Sequence, residues 1–293
     1  MVVAGIDIGG TKTTAVLADA DGQVLASGTT PSGRGGQALV DGAADLVLRL
    51  EMASGLRATA VGAGAAGVIN PATGEVLAAS GTFPDWVGCR PGQAIAERLG
   101  REVRLVNDVN AFLGGEARWG ALCGVRDALA IMLGTGVGGA LLLNGQPYDG
   151  PRGGAGEIGH VPGFSTLPCT CGGIGHLETL ASGRSLGLRY ADLTGRTGLT
   201  GADVAVRARG GDDAAREVIV RAAAGLAQAI VIAATLVDIT DVVIGGGVTA
   251  AWDLLEVPLA EALAAHPPVT VPVPGVHRAT LASTALGAAA LAL

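Results

Sequence analysis

The sequence predicts an α/β protein of two lobes. With 293 residues, the chain exceeds the size at which a single hydrophobic core usually stops growing. Apolar runs of strand length alternate with longer segments of helical periodicity. Two glycine-rich turns, at Gly9-Gly10-Thr11 and at Gly134 to Gly139, each follow an apolar strand and lead into another. Such a pair of hairpins suggests an internally duplicated fold that grips phosphate groups from both sides.

The predicted elements alternate along the whole chain. In the first part, strands are expected at 2–8, 13–17, 24–30 and 58–65, and helices at 35–54 and 91–99. The apolar run 103–106 predicts a buried strand that ends where a helix begins. Later strands are expected at 127–133, 140–143, 239–244 and 269–273. The later helices are expected at 212–237, as one helix or two, at about 249–264 and at 283–293.

The composition excludes several classes of function. Lys and Arg number 19 against 26 Asp and Glu, so the chain lacks the basic footprint of a nucleic-acid-binding protein. Its start has no basic region of the kind found in signal peptides. The most membrane-like run, 222–237, contains Gln228 and is shorter than the ~20 apolar residues of a membrane span. We therefore expect a cytoplasmic, soluble protein that binds neither nucleic acid nor membrane.

The first glycine turn predicts a phosphate site. Gly9, Gly10 and Thr11 offer consecutive N–H groups and a hydroxyl to an anion, and Asp7 beside them is placed to hold a hydrated Mg²⁺. The turn is not a Walker A loop, because Thr11 separates Gly10 from Lys12 and a strand follows instead of a helix. An ordinary hairpin turn is the alternative interpretation.

The second glycine turn has the letters of a dinucleotide-binding fingerprint in Gly134, Gly136 and Gly139. The context rejects that function, because the turn leads into a strand and a dinucleotide fingerprint must open a helix. Further along, Gly245 to Gly247 end a strand and would let an adenine or ribose lie against the backbone. Close packing between a helix and a strand explains those three glycines equally well.

Asn107 and Asp108 follow the buried strand at 103–106, at the end of the strand where open α/β sheets bind ligands. We interpret Asp108 as the catalytic residue. The alternative is that these side chains only cap the helix, which Asp and Asn often do. Thr82 and Trp86 could line a polar pocket nearby, although a tryptophan that only packs is the simpler interpretation.

Two cysteines and two histidines predict a metal site. Cysteine is too sparse for a disulfide scaffold, and Cys169 and Cys171 form a Cys-x-Cys pair between His160 and His176. Two thiolates and two imidazoles match a tetrahedral structural Zn²⁺ site. The alternative is a free thiol pair with incidental histidines.

Taken together and in order, these motifs resemble the ROK family of sugar kinases, near the bacterial glucokinases, over essentially the whole chain. The likeness rests on Asp7 to Lys12, Gly62 to Ile69, Asn107 to Ala111, Gly134 to Gly139, Glu157 to His160, Cys169 to Glu178 and Gly245 to Gly247. It implies an actin-like ATPase, RNase H-like fold, with two α/β lobes around a central cleft. The smaller lobe would span 1–108 with a C-terminal helix at about 280–293, and the larger would span 109–279 with the zinc loop.

The resemblance also implies roles for individual residues. Asp108 corresponds to the family's catalytic base. ATP and Mg²⁺ would be bound by Asp7, Gly9, Gly10, Thr11, Lys12, Gly134, Thr135, Gly136, Gly245, Gly246 and Gly247. The sugar would be bound by Gly67, Thr82, Asn107, Asp108, Glu157, His160 and Glu178. Zn²⁺ would be bound by His160, Cys169, Cys171 and His176.

Three positions depart from the family pattern. His176 stands where a third cysteine is usual, Thr82 stands near the place of a sugar-binding Asn, and Val106 replaces a Glu.

The expected reaction is transfer of the γ-phosphoryl group of ATP to the 6-hydroxyl of a hexose, glucose first. The alternatives are a kinase for an amino or N-acetylamino sugar and a non-catalytic sugar sensor. The phosphoryl donor could also be polyphosphate, and the likeness favours a homodimer or homotetramer.

Overall fold

The computed structural model describes residues 1–79, 83–269, 272–281 and 283–293. The chain forms two compact units. The first comprises Met1–Gly124, Gly145–Ala155 and Thr280–Leu293, and the second comprises Val125–Asn144 and Gly156–Ala279.

The elements of the first unit are β1 (Val2–Ile8), β2 (Lys12–Asp19), β3 (Val24–Pro31), α1 (Gly36–Ser54), β4 (Ala60–Ala65), β5 (Val68–Ile69), β6 (Val76–Ala78), α2 (Pro91–Leu99), β7 (Val103–Asn107), α3 (Asp108–Trp119), β10 (Gln146–Tyr148) and α9 (Thr284–Leu291). The main sheet has the order β3-β2-β1-β4-β7, in which β1, β4 and β7 are parallel. The carboxyl ends of these three strands therefore meet at one edge, where Ile8, Ala65 and Asn107 lie side by side.

Helices cover both faces of this sheet. Ile6 and its neighbours on one face pack in a core with Leu39 of α1 and Ile95 of α2. On the other face, α9 lies so close that a side chain at Gly5 or Gly62 would overlap the carbonyl oxygens of α9. The two glycines and the alanine-rich helix therefore fit together as backbone against backbone, because neither surface presents a large side chain.

Helix α3 is fixed to the C-terminal segment by a buried carboxylate. Glu116 is fully buried, and it accepts hydrogen bonds from the N–H groups of Ala121 at 2.8 Å, Thr280 at 3.0 Å and Leu281 at 2.8 Å. Helix α3 also packs along α9, and the first unit extends to residue 124.

The elements of the second unit are β8 (Ala128–Leu133), β9 (Val137–Leu143), α4 (Glu178–Ala181), α5 (Gly183–Thr194), α6 (Gly201–Arg209), α7 (Asp213–Val237), β11 (Asp241–Gly245), α8 (Trp252–Ala265) and β12 (Gly275–Arg278). Short 3₁₀ turns lie at Ile158–His160 and Gly247–Ala251. The strands run in the order β9-β8-β11-β12, with β8, β11 and β12 parallel and β9 antiparallel to β8.

Helix α7 forms the centre of the second core. By length and composition it could cross a membrane, but 61% of its most apolar window is buried inside the protein. Leu226 and Ile230 are fully buried there among side chains from the sheet and from α5 and α8. Helix α7 is therefore a core helix, and the segment predicted as one helix or two is a single one.

The last strand differs from its prediction. The sequence places it at 269–273, whereas the observed strand, β12, covers Gly275–Arg278 and pairs with β11. Pro272 and Pro274 have no N–H to donate to a ladder, so regular pairing starts only after them. Residues 270 and 271 lie outside the described part of the chain.

Candidate active site

The first glycine turn closes the β1–β2 hairpin in the first unit. Gly9 N–H donates to Lys12 O at 3.1 Å, and a Cβ at Gly9 would lie only 2.7 Å from that oxygen. Ser32, just after β3, donates its hydroxyl to Gly9 O at 2.5 Å and its N–H to Thr11 O at 2.9 Å. The turn is thus held by two backbone N–H groups and one hydroxyl, and Gly10 is exposed.

Asp7 and Lys12 form the charged part of this hairpin. Burial raises the pKa of Asp7 to about 6, although the nearby Lys12 ammonium acts in the opposite direction. Lys12 is the single lysine of the chain, in which the other 18 basic side chains are arginines. Burial disfavours the ionised form of a carboxylate, and a bound cation stabilises that form.

Asn107 and Asp108 both contact the start of helix α3. Asn107 is the N-cap of α3, and its Oδ1 accepts the Val109 N–H at 2.8 Å while its amide donates to Gly67 O at 2.9 Å. Asp108 is the first residue of the helix, and its Oδ1 lies 3.0 Å from the same N–H. The cap is therefore supplied mainly by Asn107.

Asp7 and Asp108 lie on the same face of the first sheet. Asp7 pairs with Gly64 of β4 in parallel register, so their side-chain directions agree. A Cβ at Gly64 would lie 2.9 Å from Ala111 Cβ and 3.4 Å from Asp108 Cα. The absence of a side chain at Gly64 thus lets the first turn of α3 settle on the sheet next to the strand that bears Asp7.

The first turn of α3 is also held from the segment after β10. The side-chain amide of the buried Asn110 donates to Asp149 Oδ1 at 2.8 Å. Burial raises the pKa of Asp149, and Arg104 opposes this shift. Neither Asn110 nor Asp149 was singled out from the sequence, because their pairing joins segments far apart in the chain.

The loop after β6 contains the predicted Thr82 and Trp86. Thr82 lies outside the described residues. Trp86 is fully buried, stacks on Phe83 with ring centroids 6.1 Å apart and donates its indole N–H to Ala66 O at 3.0 Å. It therefore packs and does not line a polar pocket. Gly67, which follows Ala66 in the chain, has a φ of 111°, a backbone conformation that favours glycine.

The second glycine turn lies in the second unit, between β8 and β9. Gly134 N–H donates to Gly136 O at 3.0 Å, and Gly134 O accepts the Gly183 N–H at 2.8 Å. Gly246, with a φ of 88°, lies so close to Leu133 that a Cβ there would be 2.5 Å from the Leu133 oxygen. The predicted nucleotide residues of this unit, Gly134, Thr135, Gly136, Gly245, Gly246 and Gly247, are therefore neighbours at the carboxyl ends of β8 and β11.

The four predicted metal ligands are gathered in the second unit. One nitrogen or sulfur atom from each of His160, Cys169, Cys171 and His176 lies within 4.8 Å of the others, and Cys171 Sγ is 3.2 Å from His176 Nδ1. Nδ1 of His160 is buried and has no hydrogen-bond partner among the described residues. Gly173 leaves room for the His176 ring, since a Cβ there would lie 2.6 Å from its Nε2. These soft, convergent donors fit a zinc ion.

Two carboxylates adjoin this cluster. Burial raises the pKa of Glu157, His160 opposes the shift and the Glu178 carboxylate adds to it. Glu178 begins α4, and its Oε2 accepts the Val137 N–H at 3.0 Å. Burial likewise raises the pKa of the Cys169 thiol. His160 and Glu178, the other two sugar ligands expected in this unit, are thus close enough to Glu157 to influence its pKa.

Sequence reasoning missed three positions at these sites. Gly64 seats α3 on the sheet, Gly183 begins α5 against the second glycine turn, and Thr170 contacts Glu178. A local signal existed for one of them, because Ser182 caps α5 through the Ser185 N–H at 3.1 Å and serine is a frequent cap residue. The other two depend on tertiary contacts alone.

Known proteins are similar to this chain in sequence and in fold. The sequence profile of the ROK family matches residues 3–293. The glucokinase of Streptomyces coelicolor is 33% identical over 277 residues, which cover 87% of this chain and 84% of that protein. The N-acetyl-D-glucosamine kinase of Pectobacterium atrosepticum is 31% identical over 257 residues, with 84% and 83% covered.

A solved structure of a ROK family protein is similar to this chain over its whole length. The ROK family glucokinase from Streptomyces griseus, in complex with glucose and AMPPNP, has a TM-score of 0.86 with this chain at 30% identity and covers 100% of this chain and 99% of its own. The predicted α/β fold of the actin-like ATPase class is thereby confirmed. The chain belongs to the ROK family.

Proposed function

We propose that the protein transfers the γ-phosphoryl group of ATP to the 6-hydroxyl of a hexose, glucose first. Membership of the ROK family and the similarity to proteins named glucokinase support this activity. The observation on which the chemistry depends is the placement of Asp7 and Asp108 on one face of the first sheet.

In the reaction, the sugar hydroxyl oxygen attacks the γ-phosphorus as its proton passes to Asp108. The bond between the γ-phosphorus and the bridging oxygen of ADP breaks, which yields hexose 6-phosphate and ADP. Phosphoryl transfer needs little from the protein beyond alignment and neutralisation of charge. In the first unit, Asn107, Asp108 and Gly67 are the proposed sugar contacts, together with Thr82, which lies outside the described residues.

The nucleotide is proposed to bind at the two glycine turns. In the first unit these contacts are Gly9, Gly10, Thr11 and Lys12, and in the second Gly134 to Gly136 and Gly245 to Gly247. Backbone N–H groups suit phosphate in a chain of net charge −7, which has few cations to offer. Asp7 would hold Mg²⁺, which supplies charge neutralisation on the phosphates when bound.

A structural Zn²⁺ is proposed at His160, Cys169, Cys171 and His176. The clustered thiols and the buried Nδ1 of His160, which has no hydrogen-bond partner in the described part of the chain, support it. An imidazole at His176 is a competent replacement for a third thiolate. The ion takes no chemical step, and it holds the loop so that Glu157, His160 and Glu178 meet the sugar already oriented. We expect about one zinc per chain by metal analysis and loss of sugar affinity in Cys171→Ser. Intact protein without zinc would contradict this part of the proposal.

A kinase for an N-acetylamino sugar is the second candidate. The N-acetyl-D-glucosamine kinase of Pectobacterium atrosepticum supports it, as does the replacement of the family's usual sugar-binding Asn by Thr82. Threonine has a shorter side chain than asparagine, which would suit a larger substituent on the sugar.

Free thiols at all four cysteines suit a reducing compartment and support a cytoplasmic location. A homodimer or homotetramer is part of the same proposal, and size-exclusion chromatography with light scattering tests it.

A panel of sugars tests the activity. Glucose, mannose, glucosamine, N-acetylglucosamine and N-acetylmannosamine are assayed for ADP release with ATP, and polyphosphate is then tested as donor. We expect glucose to have the highest kcat/KM with ATP. A preference for an acetylated sugar would select the second candidate, and ADP release that no sugar stimulates would exclude both.

A further inference from the structure

Glu178 connects the metal loop to the second glycine turn. Its Oε1 accepts a hydrogen bond from the Thr170 hydroxyl at 2.9 Å, and its Oε2 accepts one from the Val137 N–H at 3.0 Å. Thr170 lies between Cys169 and Cys171, and Val137 is the residue that follows Gly136. One carboxylate therefore spans from the loop that would hold zinc to the turn that would hold phosphate, within a single unit.

The glycine at 136 is explained by this carboxylate. The φ angle of Gly136 lies outside the left-handed region, so the backbone conformation does not require glycine there. A Cβ at this position would instead overlap Glu178 Oε2. The absent side chain thus makes the space in which Glu178 reaches the Val137 N–H.

The carboxylate keeps capacity for a ligand. A carboxylate has about four acceptor positions, and the donors from Thr170 and Val137 take one on each oxygen. Cys169 Sγ, at 3.5 Å from Oε1, is a weaker third contact. A sugar hydroxyl can therefore still donate to Glu178, which Thr170 and Val137 hold in one orientation beforehand.

We propose that Thr170 is a positioning residue for phosphoryl transfer, because it holds Glu178 in the orientation that joins the sugar site to the second glycine turn. The inference rests on the proposed function. Because Glu178 contacts both the metal loop and the second glycine turn, loosening it is expected to weaken the binding of both the sugar and the nucleotide. Sequence patterns of zinc sites do not predict the role, because Thr170 is a residue between two ligands and not a ligand itself.

Thr170→Val and Thr170→Ser separate the hydroxyl from the bulk of the side chain. Val retains the branched shape but cannot donate, whereas Ser retains the donor. A hydrogen bond to a charged group at a partly exposed site predicts an increase in the sugar KM of up to about tenfold in Thr170→Val. We expect a smaller increase in the Kd for AMPPNP measured calorimetrically without sugar, unchanged zinc content and recovery of both values in Thr170→Ser.

The amide of Val137 gives a readout that does not depend on turnover. We expect its hydrogen exchange to be faster in substrate-free Thr170→Val than in the wild type, and normal in Thr170→Ser. Wild-type sugar KM and Val137 exchange in zinc-loaded Thr170→Val would overturn the inference, as would failure of Ser to restore them. If wild-type protein phosphorylates no sugar, the proposed function fails, while the exchange measurement still decides whether Thr170 holds Glu178.

Discussion

Replacing Asp108 by Asn distinguishes a catalytic role from a structural one. Asn keeps the size of the side chain and an Oδ1 acceptor for the Val109 N–H, which lies 3.0 Å away in the native protein. Helix α3 also keeps its cap, because Asn107 accepts the same N–H at 2.8 Å. We therefore expect the free energy of unfolding to change by less than about 1 kcal/mol.

The expected effect on turnover is much larger. An amide cannot take the proton of a sugar hydroxyl, and a positioned general base contributes about 10²–10⁴-fold to a rate. This range corresponds to roughly 3–5 kcal/mol of activation free energy. In Asp108→Asn, kcat should fall by that factor while the sugar KM changes little, since an amide oxygen still accepts a hydrogen bond from the sugar.

Asn107→Ala is the matched control. It removes the cap of α3 and the 2.9 Å bond to Gly67 O, so stability should fall by about 1–2 kcal/mol. Denaturant unfolding measures the stability of both variants, and single-turnover phosphoryl transfer measures the chemical step. Near wild-type kcat in Asp108→Asn would refute the assignment of the base, and a stability loss equal to that of Asn107→Ala would point to a structural role.

Three further predictions concern charged residues of the first unit. Burial raises the pKa of Asp7 from 3.8 to about 6, so its contribution to stability is full below the lower value and is lost as pH rises through the higher one. Without nucleotide and above that pKa, Asp7→Asn should melt at a higher temperature than wild type, although it binds magnesium nucleotide more weakly. Burial opposes ionisation of Glu51, but Arg101, 2.7 Å away, and the Ala58 N–H hold its pKa below 4.5. Glu51→Gln should therefore lose about 1–3 kcal/mol at neutral pH, and the difference should vanish in acid once the pH has fallen through that lowered pKa. Finally, an amine-directed reagent should modify Lys12, the single lysine, and magnesium AMPPNP should protect it.

Each of these three outcomes has an opposite that would count against its reasoning. For Asp7, the contrary result is a melting temperature of the Asn variant that stays below that of wild type at every pH. For Glu51, it is a destabilisation that persists in acid, where the wild-type carboxylate is also neutral. For Lys12, mass spectrometry of the labelled peptide would show equal modification with and without nucleotide, and Lys12→Arg provides the unlabelled control.

The sequence was most informative where structure depends on neighbouring residues. Both glycine hairpins, helix α2 at Pro91–Leu99 and the strand that ends at Asn107 were predictable, because turn residues and apolar periodicity are local signals. The 3₁₀ turn at Gly247–Ala251, before α8, was not separated from the helix. The two helix types differ by one residue in the spacing of their backbone hydrogen bonds, and over a single turn this difference leaves no mark in the residue pattern.

Contacts between distant segments were not predictable. Nothing near Gly5 or Gly62 indicates that α9 will pack on them, and nothing near Thr170 indicates that its hydroxyl will bind Glu178. Asn107 and Asp108 are an intermediate case. The sequence indicated a capping residue and a catalytic candidate at this place, but only the hydrogen bond from Val109 to Asn107 shows which side chain caps the helix.

The close packing of α9 on β1 and β4 also bears on how the protein is made. A ribosome releases β1 and β4 early, whereas α9, at Thr284–Leu291, follows after the whole of the second unit. Until then, the sheet face that includes Val3 and Val16 lacks the helix that covers it. We therefore expect nascent chains to acquire a folded second unit first and a complete first unit last. Pulse-labelled refolding should show the amides of β1 and α9 becoming protected together, and early protection of β1 alone would contradict this order.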